Sequence, residues 1–284
     1  MKQKVWFITG ASKGFGLEIV KAALANGDKI VATVRKNPQE LTAGLKQEDK
    51  VLVVQLDVTK EDEVKAGVQE AIARFGRIDV LVNNAGYGLL AATEEASGEE
   101  VRKQYDTNVF GLLNVTRAVL PYMRSQKSGH IINTSSLFGY LASYPGFGIY
   151  GSTKFAVEGI SEGLALEVKP LGIHVTSAAP GLFSTNFTSI DSYQTSDIIL
   201  DAYQETVGGV RGLIGQIHGN QPGDPAKLAQ VIIKLAESEN PPLHLPIGKD
   251  AVAAFRTKTE QMEKEVAEWE AISSSTDHAL VTQQ

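Results

Sequence analysis

The 284-residue chain has no cysteine. That excludes disulfides, thiolate-bound metals and thiol nucleophiles, and makes a reducing cytoplasm the simplest setting. No basic run occurs, and the formal net charge is −6 from 27 Lys and Arg against 33 Asp and Glu. Neither nucleic acid nor an anionic membrane is therefore expected as a main partner. No apolar segment approaches the ~20 residues that a membrane-spanning helix needs. The five histidines, at 130, 174, 218, 244 and 278, are scattered without metal-ligand spacing, so no metal is expected. No G-x-S-x-G string stands at a strand-to-helix turn, as a nucleophile elbow needs, since the one at 159–163 falls inside a helical pattern, and there is no G-x-x-x-x-G-K phosphate loop. What remains, 43% hydrophobic and 21% charged, is an ordinary globular composition.

Short β-rich runs alternate with helical patterns along the first half. The predicted strands are 5–9, 29–34, 51–56, 80–83, 130–135 and 173–178; the predicted helices are 15–25, 39–46, 61–75, 99–124 and 150–171. Nearly continuous apolar strands, each followed by a helix, imply a parallel sheet covered on both faces with right-handed crossovers. The fold class is therefore α/β, a single doubly wound parallel sheet. After Pro180 the pattern loosens. Residues 183–223 read as a loop-rich substrate lid with a helical piece at 196–207, since a connection this long is usually functional. A helix at 226–237, a last strand at 243–247 and a charged helix at 250–272 follow. No repeat or linker divides the chain, so 1–272 reads as one domain and 273–284 as a polar, frayed tail.

Two stretches carry chemistry. Gly10-Ala11-Ser12-Lys13-Gly14-Phe15-Gly16 follows the first strand and opens the first helix. Glycines there let backbone approach a pyrophosphate, and a helix N-terminus offers free N–H groups. In Tyr150-Gly151-Ser152-Thr153-Lys154 the phenol and the amine stand four apart, on one helix face. Lowering a phenol from ~10 by about three units takes roughly 4 kcal/mol. A cation about 4 Å away at an effective dielectric near 20 supplies about that much. The spacing alone also suits a plain helix surface.

Together with Asn83-Asn84-Ala85-Gly86, Asn108, Ser136, and Pro180-Gly181 with Thr185, these stretches occur in the order and rough spacing of the short-chain dehydrogenase/reductase family. The chain resembles that family over about residues 4–185, and its NADP-preferring members related to retinol and hydroxysteroid dehydrogenases and carbonyl reductases in particular. The resemblance implies a Rossmann-type sheet. It also implies NADP(H) held by Gly10, Ser12, Lys13, Gly14, Phe15, Gly16, Arg35, Asp57, Val58, Asn84, Ala85, Gly86, Tyr150, Lys154, Pro180, Gly181 and Thr185. Asp57 with Val58 would meet the adenine, although Asp57 equally suits a helix N-cap region. NAD readers carry a carboxylate at the end of the second strand. Here that place holds Val34, with Arg35 beside it and Lys13 as a second cation.

The resemblance further implies Tyr150 as general acid and base, Lys154 lowering its pKa, and Ser136 polarising a carbonyl, with Ser135 the lesser candidate. Asn108 would anchor a proton-relaying water, or alternatively bond backbone where its helix is distorted. The expected substrate is a carbonyl or secondary alcohol of an apolar or aromatic small molecule, bounded by Leu89, Leu90, Leu137, Phe138, Tyr144, Phe147, Leu182, Phe183, Phe187, Ile190 and Tyr193, each of which could instead be core. A homodimer or homotetramer is expected through the outer faces of 99–124 and 150–171. The alternative reading is a non-catalytic NADP(H)-binding sensor.

Overall fold

The computed structural model describes residues 3–45, 47, 49–184, 193–217, 221–276 and 278. Its strands, in chain order, are β1 (Val5–Ile8), β2 (Lys29–Val34), β3 (Val51–Gln55), β4 (Val80–Asn83), β5 (Gly88–Leu90), β6 (Gly129–Thr134), β7 (Ile173–Pro180), β8 (Tyr193–Thr195) and β9 (His244–Ile247). Seven of them form one parallel sheet in the order β3-β2-β1-β4-β6-β7-β9. β1 is buried along its whole length because alternate side chains feed opposite layers. Trp6 and Ile8 enter one hydrophobic cluster, Phe7 the other. β2 and β4 divide likewise, with Ile30, Ala32, Val80 and Val82 on the first side and Val31 and Leu81 on the second. This two-sided burial is why the strands read as unbroken apolar runs.

The helices are α1 (Gly14–Ala25), α2 (Pro38–Leu45), α3 (Glu61–Phe75), α4 (Gly98–Tyr105), α5 (Leu112–Gln126), α6 (Gly148–Val168), α7 (Gly209–Ile217), α8 (Pro225–Glu237) and α9 (Lys249–Ser273). α1 and α8 cover the first face; α3, α5 and α6 cover the second. Strand order reverses between β1 and β4, and a crevice opens there beyond the strands' C-terminal ends. Among the described residues no helix is long and apolar enough to cross a membrane.

The single helix expected over 99–124 is two helices joined by a π-helical turn, Asp106–Gly111. A capping box starts α4, with Glu100 N–H donating to Ser97 Oγ at 3.2 Å and Ser97 N–H to Glu100 Oε2 at 2.7 Å. Widening at 106–111 lets Asn108 reach backward: its Nδ2 donates to Tyr87 O at 3.0 Å and its Oδ1 accepts from Tyr87 N–H at 3.1 Å. The helix expected over 150–171 begins two residues earlier and ends at Val168. β5 and β8 form a small parallel sheet of their own that sequence periodicity missed, because three-residue strands carry too little alternation to register. At the C-terminal end a 3₁₀ turn, Ser274–Thr276, continues α9 into the expected frayed tail.

The expected lid is docked where it is described. Val207, Val210 and Ile214 are buried with Leu90, Phe138, Phe147 and Tyr150, and the helical signal lies later than expected, in Asp201–Tyr203, Gln204–Gly208 and α7. Residues 185–192 and 218–220 lie outside the described residues. Glu95, fully buried, is the anchor. Its carboxylate accepts from Arg211 Nη2 at 2.5 Å, Ala92 N–H at 2.8 Å and Leu200 N–H at 3.0 Å, and its carbonyl accepts from Ser196 Oγ at 2.7 Å. The Arg211 guanidinium, aided by those N–H groups, holds the Glu95 carboxyl down at about 2 against the cost of burial. Arg211→Ala leaves that charge buried without its cation and should destabilise the protein by about 3 kcal/mol. Hydrogen exchange should quicken across 196–214, and an unchanged melting temperature with unchanged exchange there would refute the anchor.

Candidate active site

The crevice is built first by a staple between the ends of β1 and β4. Thr9 Oγ1 accepts from the N–H groups of Asn84 at 2.9 Å and Ala85 at 3.0 Å. Asn84 Nδ2 in turn donates to the carbonyls of Thr9 at 3.0 Å and Gly10 at 3.1 Å. The turn between β1 and α1 is held by these bonds. Gly10 and Gly14 adopt left-handed φ of 66° and 58°, which favours glycine at both. At Gly16 the reason is space: a Cβ would strike the Gly10 carbonyl and lie 2.7 Å from Asn84 Nδ2.

A cavity of about 390 Å³ runs from this turn to α6. Of the residues expected at the site, Gly10, Ser12, Lys13, Gly14, Phe15, Arg35, Asp57, Val58, Asn84, Ala85, Gly86, Ser136, Tyr150, Lys154, Pro180 and Gly181 line it. Gly16 and Asn108 stand behind the wall, and Thr185 lies outside the described residues. The reading of β2's end needs a correction. Val34 is turned into the core beside Leu41, and strand alternation brings Thr33 and Arg35 to the cavity instead. Asp57 does two things at once: it borders the cavity, and its Oδ1 accepts from Thr59 N–H at 2.9 Å and Thr59 Oγ1 at 2.8 Å.

At the other end stand Tyr150 and Lys154, both buried on α6. Lys154 Nζ donates to the Thr134 carbonyl at 2.7 Å and lies 5.7 Å from the centroid of the Tyr150 ring. Tyr150 hydrogen-bonds Ser136, whose Oγ also accepts from Phe138 N–H at 3.2 Å. Ser135 also borders the cavity, with its Oγ 2.5 Å from where a Cβ on Gly139 would sit.

Burial pushes the Tyr150 phenol up, and the Ser136 hydrogen bond pulls it down by less. Burial also lowers Lys154 to about 8, against an opposing pull from Glu158.

Asn108 is also used differently from a simple water anchor. Its amide grips both backbone polar groups of Tyr87 and donates to Thr153 Oγ1 at 3.1 Å, and Thr153 Oγ1 donates to the Tyr150 carbonyl at 2.7 Å. The residue thereby ties the π-helical turn to α6 and to the backbone at Tyr87. A side chain on Gly86 would start 3.1 Å from Asn108 Oδ1 and 3.9 Å from Lys154 Nζ, so this corner admits only glycine without rearrangement.

The match to known proteins decides the family. The family model described as short chain dehydrogenase matches residues 4–194. The chain belongs to the short-chain dehydrogenase family. A short-chain dehydrogenase from Streptomyces avermitilis is 41% identical, with a TM-score of 0.90 over 98% of this chain and 100% of that one. The 3-ketodihydrosphingosine reductase of Bacteroides thetaiotaomicron is 39% identical over 87% of this chain and 89% of its own length. The solved structure of ElxO with NADP bound is 29% identical, with a TM-score of 0.72 over 89% of this chain and 100% of that one.

This dehydrogenase has cavity residues that sequence reading missed. Thr33 follows from the strand alternation that brings Arg35 in, and Lys103 and Thr107 stand four apart. Gln194 and Gln221 arrive only through the tertiary path of the chain. Of the expected apolar boundary, Leu137, Phe138, Leu182 and Phe183 line the cavity, while Leu89, Leu90 and Phe147 are core. Tyr144 is partly exposed and packs edge-on against Phe138. Phe187 and Ile190 lie outside the described residues, as does the side chain of Tyr193. Gly16→Ala should destabilise the short-chain dehydrogenase by about 1–3 kcal/mol, the usual cost of overpacking. Thermal unfolding checks this, and a melting temperature equal to wild type would refute the close contact.

Proposed function

We propose that this short-chain dehydrogenase transfers hydride between NADP(H) and a carbonyl or secondary alcohol of an apolar small molecule. The observation that carries the reading is one cavity joining Lys13 and Arg35 at one end to the hydrogen-bonded Tyr150 and Ser136, with Lys154, at the other. The glycine turn and the N-terminus of α1 suit a pyrophosphate. Lys13 and Arg35 suit a 2′-phosphate, Arg35 by its planar fork and Lys13 as a point charge. The nicotinamide supplies or accepts the hydride.

The chain's own groups handle the proton. A phenol pushed up by burial keeps its proton at neutral pH, so Tyr150 is prepared to donate it to a carbonyl oxygen as the carbon accepts hydride. Ser136 donates to that oxygen as charge develops. Lys154, still largely protonated below about 8, faces the same cavity and suits a ribose hydroxyl. In the oxidative direction Tyr150 takes the proton back. Leu137, Phe138, Leu182 and Phe183 favour an apolar substrate, in keeping with a relative named for a long-chain ketone. The working unit is taken as residues 1–272, because Asp250 at the start of α9 accepts from Leu182 N–H at 2.6 Å and so shapes the cavity wall.

Tyr150→Phe should lower turnover at least a hundredfold with little change in cofactor affinity, since acid–base assistance contributes about 10² to 10⁴. A panel of ketones and alcohols followed at the reduced-nicotinamide absorbance tests it; near-wild-type turnover in the folded variant refutes the mechanism. On the cofactor, calorimetry should show NADP bound more tightly than NAD, and Arg35→Ala should reduce that preference about tenfold, or ~1.4 kcal/mol. Equal binding of the two cofactors by wild type would leave Lys13 and Arg35 as ordinary surface cations.

A further inference from the structure

α9 starts on the body and then leaves it. Ala251 is buried, and Phe255 stacks on Tyr140 with 3.8 Å between ring centroids. From 259 to 276 every residue is exposed. Helical periodicity puts Met262, Val266 and Trp269 on the same face as Phe255, the face that packs on the body in the first turns. Beyond the body this stripe is bare, with Met262 50%, Val266 62% and Trp269 60% exposed. A helix of this length is marginal in water without tertiary packing. The pairs along it, Gln261 with Glu265 and Lys264 with Glu268, add only about 0.2–0.5 kcal/mol each.

We propose that this arm is a dimerisation element that pairs antiparallel with the same helix of a second copy. Charge selects the occupant. Flanking the stripe, Arg256 and Lys258 stand at the base, while Glu263, Glu265 and Glu270 stand toward the tip. Parallel pairing would set Glu265 of each copy against Glu270 of the other, cancelling the attraction between Lys258 and Glu263. Antiparallel pairing with the two Met262 side chains facing each other brings Lys258 of each copy opposite Glu265 of the other, and Arg256 opposite Glu270. Each of these pairs occurs twice by symmetry, outweighing the single contact of Glu263 with its own copy. Thr259 then meets Val266 across the seam, and Trp269 reaches the edge of the other copy's Tyr140–Phe255 stack. Between 256 and 270 there are five glutamates against three basic residues, which disfavours an anionic bilayer as the occupant. This surface is separate from the π-helical turn before α5 and the outer face of α6, where Phe110, and Phe155 with Leu166, are exposed.

The absence of cysteine makes the test direct. Met262→Cys in the full chain introduces one thiol at the centre of the seam, and Lys264→Cys introduces one on the opposite face. Under mild oxidation with copper–phenanthroline, Met262→Cys should form a covalent dimer at least tenfold faster than Lys264→Cys. No cross-link, or equal rates at both positions, overturns the proposal. Lys258→Glu and Glu265→Lys should each weaken self-association at least tenfold by analytical ultracentrifugation, and the two together should restore it. Failure of the double reversal to restore association refutes antiparallel register. Wild-type chain that pellets with phosphatidylcholine vesicles, together with no cross-link in Met262→Cys, would make the arm a membrane contact instead. None of these readouts depends on catalytic activity.

Discussion

The hydrogen-bonded staple between the ends of β1 and β4 is the constraint on which the rest of the site depends. A parallel sheet whose strand order reverses must leave a gap between the two diverging crossovers. Left unbraced, that gap would be a flexible cleft between two loops. Thr9 and Asn84 close it with four bonds between side chain and backbone, all 2.9–3.1 Å. The glycine turn is then fixed against β4. Both N–H bonds of the Asn84 amide are spent on holding that turn.

Desolvation is the second organising effect. Tyr150 and Lys154 are buried where hydrophobic aromatics, Phe138 and Phe147, stack at 4.6 Å between centroids and both meet the Tyr150 ring edge-on. Water is the usual solvent for a phenolate or an ammonium, and removing it favours the neutral form of each. Tyr150 rises and Lys154 falls for one reason. A protonated phenol beside a hydroxyl donor is suited to receiving a developing alkoxide, and the Ser136 bond opposes the effect of burial on it.

The roof over this end is held by a different force. Glu95 sits in the loop after β5, a hundred residues before most of what it binds. It ties Leu200 and Arg211 to the body through a fully buried carboxylate, and Ser196 through its backbone carbonyl. A buried ion pair is a poor source of net stability, yet removing one partner is expensive. Such an anchor therefore specifies a single docked arrangement for the helical segment over Tyr150 more than it stabilises the fold.

Local signals made much of this legible. Two-sided apolar strands, the glycine turn and the Tyr150–Lys154 spacing are written in contiguous residues, because strand burial, turn sterics and helix periodicity act over a few positions. The α/β sheet and most of the cavity wall follow from them. Three things were not legible. Val34 and Arg35 exchange importance according to which way β2's last residues face, which register with β1 and β3 decides. Which groups Asn108 bonds became visible only once the π-helical turn brought it to Tyr87 and Thr153. Lys154's effect on Tyr150 depends on local dielectric, which is a property of everything packed around them. The sequence by itself determined the strands, the helices and the chemistry available. The tertiary structure alone decided orientation and solvation, because both arise from contacts between residues far apart in the chain.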